Sequence, residues 1–121
     1  MDLDQAINKH VEWKVKLRSA IAKQEKLDAA TIARDDCCDL GRWLYGEARA
    51  KYATLPAYTA CVEKHRTFHR EAGKVAETIN AGLFTQAEAM LGVGTPYSQA
   101  SNETCSAIRA LKKDARVTAG A

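Results

Sequence analysis

The chain holds three histidines, and their spacing is its first chemical signal. His65 and His69 are four residues apart, so on a helix their rings leave the same face and can converge on one ion. His10 belongs to the series Leu3, Ile7, His10, Lys14, Leu17 and Ile21, which steps by four and three along one helix face. That face is apolar except at His10 and Lys14, while Asp4, Lys9, Glu12, Lys16 and Lys23 form a wet face. A single His-x-x-x-His pair is a weak signal, and a single inward histidine is more often a hydrogen-bonded core residue than a ligand. Here all three histidines point inward, and burying three imidazoles without a shared partner is costly. Neutral imidazole is a common metal ligand, and a cysteine supplies a thiolate. Three histidines and one cysteine close a tetrahedron, the coordination zinc prefers in structural sites. Four cysteines are available: Cys37, Cys38, Cys61 and Cys105.

Helices must carry these donors. The first follows from the Leu3–Ile21 series. The stretch from Ala29 to Gly46 is less regular. Arg34-Asp35-Asp36 reads as a helix start, because aspartate caps free N–H groups. A short, glycine-bounded helix should follow from Cys38 to Gly46, carrying Leu40, Trp43 and Leu44. Leu55-Pro56 opens a long helix to about Asn80, since proline suits a first turn. Its inner face is Cys61, His65, Phe68 or His69, Ala72, Ala76 and Ile79, with Gly82 as the C-terminal cap. Thr85 and Glu88 have capping-box spacing and predict a short helix ending at Gly92. Thr95-Pro96 starts a final helix that presents Tyr97, Thr104, Ile108 and Leu111. No strand, repeat or low-complexity linker is evident. The fold class is all-α: an antiparallel helical bundle of three long helices plus two short ones around a buried metal site. Residues 1–116 form the domain, and residues 117–121 read as a frayed tail.

Composition agrees with this. The chain has 121 residues, 46% apolar and 27% charged, with 2 prolines and 7% aromatics. That length is one domain with a core sufficient without disulfides. The net charge of +3 is spread among acidic residues rather than gathered in a stripe, which argues against nucleic acid. The densest basic stretch, Arg109, Lys112, Lys113 and Arg116, reads as a solvated helix end. No apolar run approaches a membrane span. Met-Asp-Leu-Asp-Gln has neither part of a secretory signal, and Cys37 and Cys38 are adjacent, so a cytoplasmic, reducing setting is expected. Cys61 and Cys105 read as small core residues, and Trp13 and Trp43 as core packing.

Cys38-Asp39-Leu40-Gly41-Arg42-Trp43-Leu44 resembles the Cys-x-Leu-Gly-x-Trp-Leu signature of the chemoreceptor zinc-binding (CZB) domain family. His10 with Trp13-Lys14 is similar to that family's first histidine motif, and His65-Arg66-Thr67-Phe68-His69 to its last. The resemblance spans nearly the whole chain, with the motifs in the family's order. It implies a helical bundle with a three-His, one-Cys zinc site, whose ligands here are His10, Cys38, His65 and His69. It also implies a bacterial, cytoplasmic homodimer that regulates a fused or docked output domain, a chemoreceptor or a diguanylate cyclase in cyclic-di-GMP signalling. Members of the family are linked to sensing zinc level or hypochlorous acid, the latter through the zinc-bound cysteine. Cys38 is therefore the expected redox-reactive residue. Cys37 beside it offers a second thiolate, but the Leu-Gly-x-Trp spacing favours Cys38.

Two other roles compete with the sensor. Zinc as a pure staple would pin the helices of an interaction domain and add folding free energy. A zinc hydrolase needs an open coordination position and the glutamate of His-Glu-x-x-His, whereas four protein ligands leave none and Arg66 follows His65. No enzymatic activity is expected. Asp35, Asp36 and Asp39 are candidates to support the metal-bound histidines, because such histidines usually donate their second ring N–H.

Overall fold

The computed structural model describes the chain as far as Gly120, with side chains as far as Arg116. The frayed tail expected at 117–121 lies outside the residues described in full. Seven helices and no strand occur among the described residues: α1 (Leu3–Lys23), α2 (Ala29–Ile32), α3 (Asp39–Tyr45), α4 (Glu47–Tyr52), α5 (Pro56–Asn80), α6 (Phe84–Met90) and α7 (Pro96–Gly120). The three long helices are those expected. Asp2 caps α1 by accepting from the Gln5 amide at 3.0 Å. Pro56 sits in the first turn of α5. That helix ends in a Schellman turn, with Gly82 N–H on Ile79 O at 2.9 Å and Leu83 N–H on Thr78 O at 3.2 Å. Gly82 takes φ 79° there, a region that favours glycine.

Two short helices, α2 and α4, go beyond the expected pair. At four and six residues they are too short to show a period. The capping box at Thr85 does not form. Leu83 is both the last residue of the Schellman turn and the cap of α6, so that helix begins at Phe84 with no side-chain cap and ends at Met90. Arg34-Asp35-Asp36 is not a helix start either. Arg34 grips Asp36 with two hydrogen bonds of 3.0 and 3.1 Å, and the cap of α3 is Cys38. Trp13 and Trp43 are half-buried at the margins of the core. Lys16 lies over the Trp13 ring at 5.0 Å, and Trp43 leans on Tyr52 at 6.1 Å.

The core is divided into two apolar clusters. One gathers Leu3, Ala6 and Ile7 of α1, Leu40 and Leu44 of α3, Tyr58 and Cys61 of α5, and Cys105, Ile108 and Leu111 of α7. The other gathers Leu17 and Ala20 of α1, Phe68 to Ile79 of α5, Ala87 of α6, and Tyr97 and Ala100 of α7. Between them on the three long helices lie His10, His65 and Thr104, all buried. The sequence order of these contacts sets the directions. α1 and α5 run the same way, because α2 to α4 carry the chain back between them, and α7 runs antiparallel to both. Lys112 of α7 accordingly meets Asp4 of α1 at 2.7 Å.

Candidate metal centre

Helical periodicity places three of the four expected donors. His10 faces inward one turn beyond Ile7, and its Nδ1 lies 2.7 Å from the Ala6 carbonyl, one turn back on the same helix. Nδ1–H therefore donates there, and Nε2 is presented to the interior. His69 is held in the same way, with Nδ1 2.9 Å from the Ile32 carbonyl that α2 brings against α5. His65 lies one turn before His69, and their Nε2 atoms are 3.0 Å apart. The fourth donor arrives on an irregular segment. Cys38 has extended backbone (φ −88°, ψ 163°) and its sulfur accepts from the Gly41 amide at 3.3 Å. That sulfur lies 3.2 Å from His65 Nε2 and 3.6 Å from His69 Nε2.

Gly41 makes this placement possible. A Cβ at that position would lie 1.7 Å from the Asp35 carbonyl oxygen, which packs directly onto the first turn of α3. Cys37, the other thiol of the pair, is outside the cluster and lies 3.7 Å from Asp36 Oδ1. Asp35, Asp36 and Asp39 do not hydrogen-bond the histidines; the backbone carbonyls of Ala6 and Ile32 take that role. Asp39 pairs with Lys9 at 3.1 Å instead. Residue types carry no signal for a backbone acceptor, although Ala6 is legible in retrospect as the residue four before His10 on one helix.

The ligand atoms of His10, Cys38, His65 and His69 all lie within 4.8 Å of one another. Around a tetrahedral zinc, bonds of about 2.0 Å to nitrogen and about 2.3 Å to sulfur place the donors about 3.3–3.6 Å apart. The separations among Cys38, His65 and His69, 3.0, 3.2 and 3.6 Å, are close to that spacing, and the His10 ring nitrogen lies within 4.8 Å of all three. His10 Nε2 and His65 Nδ1 are buried and have no hydrogen-bond partner. For His10 Nε2, inside the cluster, a metal is the partner that its position fits. Burial pushes the His10 ring down to about 4, against the pull of the Ala6 carbonyl. Burial, with His69 and His10 adding to it, pushes His65 down to about 2, and burial also lowers His69. All three imidazoles are thus neutral at physiological pH, as ligands must be. Burial raises the Cys38 thiol, opposed by the amides of Gly41 and Leu40. A cation at the centre would reverse that balance and favour the thiolate.

The three histidines are buried, whereas Cys38 is half-buried. A surface groove of about 490 Å³ between α1 and the Cys37–Leu40 segment reaches it, with His10, Trp13, Lys9 and Lys16 among its walls. No helix among the described residues is long and apolar enough to cross a membrane.

The sequence profile of the chemoreceptor zinc-binding domain matches residues 10–76, a span that contains all four donors and more than half of the chain. No curated protein and no solved structure matches. With a His/Cys/His/His cluster positioned to bind a metal ion inside that span, the chain belongs to the chemoreceptor zinc-binding domain family.

Proposed function

We propose that His10, Cys38, His65 and His69 hold one zinc ion, and that the site is a sensory switch of bacterial chemotaxis or cyclic-di-GMP signalling. The observation that carries this is the convergence of four donors, three buried histidines and one half-buried cysteine on a surface groove. Zinc, when bound, supplies the positive charge that keeps Cys38 deprotonated. The Cys38 sulfur is then the accessible nucleophile of the cluster. It attacks the chlorine of hypochlorous acid, and hydrolysis of the sulfenyl chloride gives the sulfenic acid and chloride. The sulfur gains one oxygen and loses two electrons to chlorine. A sulfenic acid no longer fits among three neutral imidazoles as a thiolate does, so the Cys38 segment and α3 shift relative to α5. A fused or docked output domain, in a cytoplasmic homodimer, reads that shift. Zinc level is the alternative signal at the same residues. With four protein donors and Arg66 where a hydrolase needs glutamate, the domain acts without catalysis.

The second reading is a structural staple. It is favoured by the way the donors join α1, α5 and the Cys38 segment. Metal analysis before and after stoichiometric hypochlorous acid, on wild type and Cys38→Ala, separates the two. The switch predicts about one zinc per chain in the wild type, released by the oxidant, and a lower zinc content in Cys38→Ala. Zinc retained after Cys38 is shown to be oxidised favours the staple. Unchanged zinc content and signalling in Cys38→Ala would sink the switch.

A further inference from the structure

Near the donors lies a second set of side chains that hydrogen-bonds none of them. The Tyr45 hydroxyl donates to the Asp35 carboxylate. Arg66 Nε lies 3.9 Å from the same carboxylate oxygen, and the Arg49 guanidinium lies over the Tyr45 ring at 5.5 Å. The Asp35 side chain is only 19% exposed although Arg66 is 54% exposed, so the carboxylate is the sheltered hub. None of these residues lines the groove that reaches Cys38.

Their positions give the set a purpose. Asp35 is three residues before Cys38, Tyr45 is seven after it, and Arg66 directly follows His65 on α5. The Cys38 segment is not helical before Asp39, and its first helical hydrogen bond is Arg42 N–H on the Cys38 carbonyl at 3.0 Å. Its buried apolar anchors are Leu40 and Leu44, both on the α3 side of the cysteine. Upstream, Ile32 is buried in the core, and between it and Cys38 the segment is tied back to α3 and α5 by the Asp35 carbonyl packed on Gly41 and the Asp35 carboxylate with Tyr45 and Arg66. A hydrogen bond to a charged group is stronger and more directional than a neutral one. We infer that Tyr45, Asp35 and Arg66 are positioning residues that fix the Cys38 sulfur against His65 and His69, and so set how tightly the metal is held. The inference rests on the reading of Cys38 as a ligand.

The test uses Tyr45→Phe and Asp35→Asn in the full chain loaded with cobalt(II). Two quantities are read: the sulfur-to-cobalt charge-transfer band, and the rate of metal transfer to a chromogenic chelator. Losing a partner that orients a ligand typically weakens metal binding by about 10–100-fold. We expect both variants to shift or weaken the band and to surrender metal about tenfold faster. Lys51→Ala, which removes the exposed pair with Glu47 on α4, should change neither quantity. A band and a transfer rate within twofold of wild type in both variants overturn the inference, even if the melting temperature falls. If Asp35→Asn melts below the assay temperature, Tyr45→Phe alone decides, because it keeps the ring beneath Arg49. A wild type without the sulfur band removes Cys38 as a ligand and the inference with it. A normal band that the variants leave unmoved removes the inference alone.

Discussion

Replacing Gly41 with alanine isolates the contact that places Cys38. The new Cβ would sit 1.7 Å from the Asp35 carbonyl oxygen, 2.8 Å from its carbon and 3.1 Å from Asp36 Cα. All three atoms are backbone, so no side chain can swing aside. Opening 1.7 Å to an acceptable 3 Å or so moves the Asp35–Cys38 segment by more than about 1 Å. Alanine is the better helix former by about 1 kcal/mol, but overpacking against backbone costs about 3 kcal/mol, so sterics win. The net loss of about 2 kcal/mol lowers the melting temperature by roughly 5–10 °C for a domain of this size. The same movement pulls the sulfur from its partners at 3.2 and 3.6 Å, and zinc affinity should fall about 10–100-fold. Competition with a chromogenic chelator measures the affinity, and thermal melts with and without metal measure stability. Gly82→Ala is the control. At φ 79° it is strained by about 1 kcal/mol, yet nothing lies within 4 Å of its Cβ, so zinc affinity should not change. If Gly41→Ala binds zinc within threefold of wild type, the steric argument is wrong.

The other predictions concern the layer and its supports. In the metal-free protein the three histidines have folded-state pKa values below the ordinary 6.5. Their contribution is therefore fully present above about pH 6.5 and is lost as pH falls toward 4, at up to about 1.4 kcal/mol per pH unit per histidine. Melts in chelator across that range should show the decline, and His10→Gln should flatten it. Phe68 is fully buried and its ring meets those of His10 and His69 at 5.2 and 5.4 Å. Phe68→Ala should cost about 3–5 kcal/mol by chemical denaturation and also weaken zinc binding. Asn80 bridges the α1–α2 loop, accepting from Leu27 N–H at 2.7 Å and donating to Leu27 O at 2.8 Å. Asn80→Ala should cost about 2 kcal/mol and leave zinc affinity unchanged.

The histidines are legible from sequence because each lies on a long helix whose apolar period fixes its facing. Leu3, Ile7 and Leu17 orient His10; Cys61, Ala72, Ala76 and Ile79 orient His65 and His69. Cys38 is not legible that way, since the residues before Asp39 are irregular. It is found by the resemblance of the motif around it, in which Gly41 is a packing requirement. The partners of His10 and His69 are hidden because they are main-chain carbonyls, and none of the nearby aspartates hydrogen-bonds a histidine. Local pattern also misleads at Thr85, where the end of α5 passes directly into the next helix and leaves no free cap. The directions of α1 and α5 depend on the path of α2 to α4, whose four- to seven-residue helices carry too little period to be traced.

The polar layer between the two apolar clusters has a consequence for how the chain comes apart. Each long helix is continuous, but the apolar packing that holds it is interrupted by the buried polar residues His10, His65 and Thr104. Metal-free, the layer joins the halves with neutral rings and unsatisfied nitrogens, a weak mechanical coupling. A metal held by His10, Cys38, His65 and His69 would cross-link α1, α5 and the Cys38 segment through that layer and so couple the two halves. Hydrogen exchange should show the two halves opening independently without metal and as one unit with it.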